Sequence, residues 1–125
     1  MCLTSSTSAV TVCPPEKKPD TFSEQHWSDP NLGGSYEKSK TRAEMAAWEF
    51  VANMPAAERF ELTTCTPGFI MGPTEVQALE GSGRLMNMFM LGQFPGGRVP
   101  LIKLGFVDVR EVATAHVNCI ERDEA

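Results

Sequence analysis

The stretch Ser35-Tyr36-Glu37-Lys38-Ser39-Lys40-Thr41-Arg42-Ala43-Glu44-Met45-Ala46-Ala47-Trp48-Glu49-Phe50-Val51-Ala52-Asn53, followed by Phe60-Glu61-Leu62-Thr63-Thr64-Cys65-Thr66-Pro67-Gly68, decides how the rest of the chain reads. Its first part is rich in the helix formers Ala, Glu, Lys and Met. Ser35 as N-cap and Pro55 as the stop predict a helix through Tyr36 to about Asn53. Phe60 to Cys65 reads as a short strand that breaks at Thr66-Pro67-Gly68. Working outward, Leu3 to Val12 reads as a short β segment running into the turn-favouring cluster Ser5-Ser6-Thr7-Ser8. Pro14 to Gly34 is loop chemistry anchored by Phe22 and Trp27. Downstream, Gly72-Pro73 closes a turn, Ser82 to Leu91 forms a second helix, and Phe94 to Pro100 is a Gly/Pro loop. Met86, Met88 and Met90 read as gap-filling core rather than a ligand groove. Phe106-Val107 is strand-like, and Asp108 with Glu111 forms a capping box opening a helix to about Glu121. On that helix Val109, Val112, Ala113, His116, Val117 and Ile120 share one face, which makes His116 a satisfied core histidine. The alternation of strands and helices predicts an α/β fold.

Length and charge bound the function. The 125 residues allow one ordinary domain, spanning 1–125, and the net charge of -5 argues against a nucleic-acid partner, which calls for a basic stripe. No apolar run is long enough to span a membrane, and the first residues lack the features of a secretion signal, so the expected address is cytoplasmic. Cys2, Cys13, Cys65 and Cys119 have no CxxC pair and no histidine at zinc-ligand spacing, so the spacing proposes free thiols and no metal site.

Tyr36 and Lys40 stand four residues apart at the start of a helix, so both project from one face. A lysine ammonium beside a phenol favours the phenolate, which suits the pair to proton exchange at neutral pH. Alone this pair is weak, because such pairs arise by chance on solvated helices. It gains from its context, a serine cluster at the end of the upstream strand and a strand ending in Thr66-Pro67-Gly68-Phe69-Ile70-Met71-Gly72-Pro73 downstream. In an open parallel sheet, ligands lie beyond the carboxyl ends of the strands, where these features can meet.

The ordered set Leu3-Thr4-Ser5-Ser6 with Ala9-Val10, Phe22-Ser23-Glu24, Trp27-Ser28-Asp29-Pro30, Tyr36-Glu37-Lys38-Ser39-Lys40, Phe60-Glu61-Leu62-Thr63-Thr64, Pro67-Gly68-Phe69-Ile70-Met71-Gly72-Pro73 and Gly105-Phe106-Val107-Asp108-Val109-Arg110 resembles the extended short-chain dehydrogenases/reductases of the NAD-dependent epimerase/dehydratase superfamily. Within them it is most similar to the dihydroflavonol 4-reductase-like branch. The resemblance implies the C-terminal part of a Rossmann-type, doubly wound parallel sheet, incomplete in this chain. It also implies a Ser-Tyr-Lys set that reduces an aldehyde or ketone, the small-molecule carbonyl partner, to an alcohol. Tyr36 would be the general acid, Lys40 would support it and bind the nicotinamide ribose, and Ser6 would polarise the carbonyl oxygen, with Ser5 and Ser8 as alternative registers. The turn Pro67, Gly68, Phe69 and Ile70 would pack against the nicotinamide. The resemblance favours NADP as the cofactor, with NAD as the alternative, and a homodimer through the Tyr36 helix, whose Ala43, Ala46 and Ala47 would allow close approach.

A dinucleotide site also needs a glycine-rich turn to hold the pyrophosphate, and Gly81-Ser82-Gly83 and Gly96-Gly97 have the wrong spacing for it. The chain therefore reads as a piece of a reductase lacking the N-terminal βαβ portion, weakly active or inactive alone, poorly stable or prone to associate. Two alternatives stay open. One is a nucleotide-sugar epimerase, dehydratase or hydroxysteroid dehydrogenase on the same scaffold, the other a non-catalytic interaction module completed by another chain.

Overall fold

β1 (Cys2–Thr4) runs parallel to β2 (Thr63–Cys65), with Cys2 opposite Thr63, Leu3 opposite Thr64 and Thr4 opposite Cys65. Parallel neighbours require a long crossover, and here it contains α1 (Ser35–Ala52). In the same way β3 (Phe69–Met71) and β4 (Phe106–Asp108) pair in parallel across a connection containing α2 (Gly81–Met90), and α3 (Val109–Glu121) closes the order. The computed structural model describes residues 1–74 and 80–122. It divides into two compact units, one made of residues 1–67 with the described residues from Ala115 onward, the other of Gly68–Thr114. The architecture is α/β with parallel strands, as the sequence predicts.

Within the first unit, the chain leaves β1 through Ser5 and Ser6 into a 3-10 turn, Thr7–Ala9, against which α1 packs. The inward face of α1 is largely polar: Thr41, Glu44 and Val51 are its buried residues. The buried apolar side chains of the described residues are Ala9, Val51 and Leu62, while Phe50, Met90, Leu101, Phe106 and Ile120 stay exposed. So small an apolar core supports the expectation of marginal stability. Among the described residues no helix is long and apolar enough to cross a membrane.

Several local expectations are corrected. The helix over 35–52 is capped by Gly34, not Ser35. The Gly34 N–H donates to Glu37 Oε2 at 2.8 Å, and a Cβ at position 34 would stand 2.9 Å from that same oxygen. β1 ends at Thr4 because the serine cluster turns the backbone, so the β reading to Val12 is too long. β2 begins at Thr63 rather than Phe60. Phe69–Met71, read as part of a turn, is a strand. Only the pairing with Phe106–Asp108 reveals it. That close pairing requires Gly68, where a Cβ would approach the Gly105 carbonyl oxygen to 2.4 Å. Residues 95–97, inside the predicted loop, form a 3-10 turn.

The methionines of α2 are not core: Met90 is 77% exposed, and Met86 and Met90 border a cavity of about 400 Å³ with Ile70, Met71 and Val109. On α3 the half-buried positions are Val109, Val112, His116, Asn118 and Cys119, whereas Val117 and Ile120 are exposed. The inward face is therefore rotated from the apolar stripe read in sequence. His116 is half-buried rather than core, with Nε2 2.7 Å from Thr4 Oγ1. Trp27, expected to anchor its loop, is partly exposed. The packing of that loop falls to Ser28, which is 1% exposed.

Asp108 caps α3 through Arg110 rather than through the predicted box with Glu111: its Oδ1 accepts from the Arg110 backbone N–H at 2.8 Å and from Arg110 Nε at 2.9 Å. Its Oδ2 accepts from an Arg110 guanidinium nitrogen at 2.6 Å. The hydrogen bonds from the guanidinium hold this carboxyl down at about 2. A lowered folded-state value means that the pair contributes stability above the ordinary aspartate range and loses it as pH falls from about 4 to about 2. An NMR titration should give an Asp108 midpoint near 2, rising with added salt because the pair is exposed. A midpoint at the ordinary 3.8 would remove the pair as a cap.

Candidate active site

The residues gather where β1 ends. Lys40 lies one turn beyond Tyr36 on α1, and its Nζ donates to the Thr4 carbonyl at 3.3 Å, which brings the ammonium to the carboxyl end of β1. Tyr36, in the first turn of the helix, is 56% exposed, so its phenol stands open to a ligand. Two residues past Thr4, Ser6 is 7% exposed in extended conformation and accepts a hydrogen bond from the Ser8 N–H at 3.2 Å. That bond uses the hydroxyl only as an acceptor, which leaves the O–H to donate.

The neighbouring serines are differently engaged. Ser5 Oγ donates to Glu44 Oε2 and is buried with it. The Ser8 carbonyl accepts from Ser28 Oγ at 2.7 Å and from Thr41 Oγ1 at 3.5 Å. Ser28 Oγ also accepts from the Val12 N–H at 2.7 Å, while its own N–H donates to the Ala9 carbonyl at 2.8 Å. Ser28 thus ties the loop of 14–34 to the turn that carries Ser6.

Glu44, Thr41 and Ser28, which bond to the turn bearing Ser6, are residues that sequence reasoning missed. Glu44 carried a signal, since it follows Lys40 by one more turn on the same helical face. Ser28 lies in the motif Trp27-Ser28-Asp29-Pro30, but its partners are across a long loop, so its bonding role has no signal in the spacing.

The predicted cofactor turn divides between the two units. Pro67 belongs to the first, where its carbonyl accepts from the Thr7 N–H at 3.1 Å next to Ser6. Gly68, Phe69 and Ile70 belong to the second: the Phe69 N–H donates to the Gly105 carbonyl at 2.7 Å, and its ring meets Phe106 edge-on at 6.2 Å. Of these three, Ile70 borders the cavity beside α2.

No protein-family model matches the chain. It is 35% identical to the NADPH-dependent methylglyoxal reductase GRE2 of Saccharomyces cerevisiae over 98% of its own length and 39% of the relative's. It is 32% identical to the ketoreductase azaE of Aspergillus niger over 94% of its own length and 38% of the relative's. The crystal structure of Gre2 from Candida albicans in complex with NADPH superposes with a TM-score of 0.77 at 30% identity, covering 99% of this chain and 40% of that one. Over nearly its whole length the chain is similar to reductases of the extended short-chain dehydrogenase/reductase type.

These relatives are of the dihydroflavonol 4-reductase-like type, and the α/β architecture of the chain matches part of their Rossmann-type fold. The chain spans about two fifths of the length of the reductases it matches.

Proposed function

We propose that this chain carries the catalytic portion of an NADPH-dependent reductase that converts an aldehyde or ketone to an alcohol. The observation that carries this reading is the meeting of the Lys40 ammonium with the end of β1, two residues from Ser6, with Tyr36 one helical turn away. The engagement of Ser5 with Glu44 supports Ser6 as the serine that donates to the substrate oxygen. NADPH as cofactor is supported by the NADPH-dependent relatives, and a reducing setting by four free cysteines.

The residues fit one end of the dinucleotide. An ammonium has three donors; the Thr4 carbonyl takes one from Lys40, and two remain for the nicotinamide ribose hydroxyls. For the pyrophosphate the chain has no glycine-rich turn of the usual spacing, so its affinity rests on the nicotinamide half. When bound, the reduced nicotinamide supplies hydride to the carbonyl carbon. Tyr36 gives its phenolic proton to the carbonyl oxygen, Ser6 hydrogen-bonds that oxygen as its charge develops, and Lys40 holds a positive charge on the phenol's face of the helix.

Titration of the purified chain with NADPH, followed by calorimetry or cofactor fluorescence, tests the reading. Saturable binding is expected, and Lys40→Ala should weaken it by about 10- to 100-fold, the loss of charge-assisted hydrogen bonds worth roughly 1.5–3 kcal/mol. A folded chain that binds no NADPH overturns the proposal.

A further inference from the structure

We propose that Cys2, Cys65, Cys119 and His116 form a tetrahedral zinc site, structural rather than catalytic, that joins β1, β2 and α3 within the first unit. Side chains alternate along a strand, so Cys2 and Thr4 share one face of the ladder with Thr63 and Cys65, and the register sets the two cysteines diagonally on it. His116 and Cys119, three residues apart on α3, meet that face together. The ligand atoms of Cys2, Cys65 and His116 all lie within 4.8 Å of one another. Cys119 stands beside that group, with its Sγ 3.5 Å from Cys65 Sγ, and is the fourth ligand within reach.

The separations are those of reduced thiols spaced to take zinc, not of a disulfide. Zinc–thiolate bonds of about 2.3 Å give a tetrahedron with sulfur–sulfur edges of about 3.8 Å. The observed separations are 3.8 Å for Cys2 and Cys65 and 3.5 Å for Cys65 and Cys119. A disulfide would draw the sulfurs together to about 2.05 Å. Thr4 Oγ1, 2.7 Å from His116 Nε2, is placed to orient the imidazole, and the same residue's carbonyl holds Lys40. All three thiols are half-buried, which shields the site while leaving it a route to solvent. Cys2, Cys65 and His116 supply three ligands, and closing of Cys119 onto the metal would complete a Cys3His set of the structural type. Binding replaces three S–H bonds by Zn–S bonds and releases three protons to solvent. Such a clasp suits a unit with so few buried apolar side chains.

Cobalt(II) titration of the full, reduced 125-residue chain tests the site. One equivalent should produce thiolate-to-cobalt charge transfer and the intense visible bands of tetrahedral cobalt, both displaced by zinc. Cys65→Ser should abolish them, and Cys13→Ser should leave them unchanged. Because loss of the Cys65 thiol can disturb β2, a second measurement uses the unsubstituted chain: zinc should protect Cys2, Cys65 and Cys119, but not Cys13, from iodoacetamide, read by mass spectrometry. Absence of the cobalt spectrum in the folded chain, its survival in Cys65→Ser, or equal alkylation of all four cysteines with zinc present would overturn the proposal.

Discussion

Replacing Tyr36 by phenylalanine is expected to lower carbonyl-dependent oxidation of NADPH by about 10²- to 10⁴-fold, the range supplied by a positioned general acid. The substitution deletes one hydroxyl from a side chain that is 56% exposed, so folding should change little. Cofactor binding should change far less than turnover, since Lys40 keeps its anchor on the Thr4 carbonyl. Comparing the two variants separates the roles: Tyr36→Phe acts on turnover, whereas Lys40→Ala acts on both affinity and turnover. Steady-state rates with a panel of aldehydes and ketones, read beside NADPH titrations, would show this. Turnover in Tyr36→Phe within threefold of the unsubstituted chain would remove the tyrosine from the proton-transfer step.

Ser28→Ala should produce the largest loss of stability among single-atom deletions in the first unit. Ser28 is 1% exposed, and its hydroxyl donates to the Ser8 carbonyl and accepts from the Val12 N–H, both at 2.7 Å. Alanine leaves the Val12 donor unmet and the Ser8 carbonyl with only the longer Thr41 contact. Each buried group left unsatisfied costs about 1–3 kcal/mol. The loss falls on a unit whose buried apolar side chains are few, so it is a large fraction of a marginal total. The exposed hydroxyl of Thr114, which donates to the Arg110 carbonyl at 2.9 Å, provides the comparison. Thr114→Ala should shift the urea midpoint only slightly, within about 0.5 kcal/mol. Equal midpoints for the two variants would mean that Ser28 does not hold the turn carrying Ser6.

These expectations show where local sequence stops being informative. The face shared by Tyr36 and Lys40 follows from helical geometry alone, and so does the sequence order of strands and helices. The extent of β1 and the existence of β3 do not, because three-residue strands carry little periodic signal and are defined by their partners. The face that α3 presents was misjudged for a similar reason. Its apolar residues mark a broad stripe, and packing selects the edge bearing His116 and Cys119.

Sequence alone determined the chemistry at short range: a phenol and an ammonium one turn apart, a serine-rich turn after a strand, the α/β alternation, and through their order the resemblance to the extended reductases. Those features depend on spacings of a few residues, which covalent geometry transmits directly. Tertiary structure alone decided that Lys40 reaches Thr4, that Glu44 engages Ser5 and thereby distinguishes it from Ser6, and that Ser28 anchors the turn. It also decided that thiols 63 and 54 residues apart in the chain stand in contact. Such partners meet only through parallel pairing and helix packing, whose registers are set by contacts between distant segments and leave no pattern in the spacing of the residues themselves.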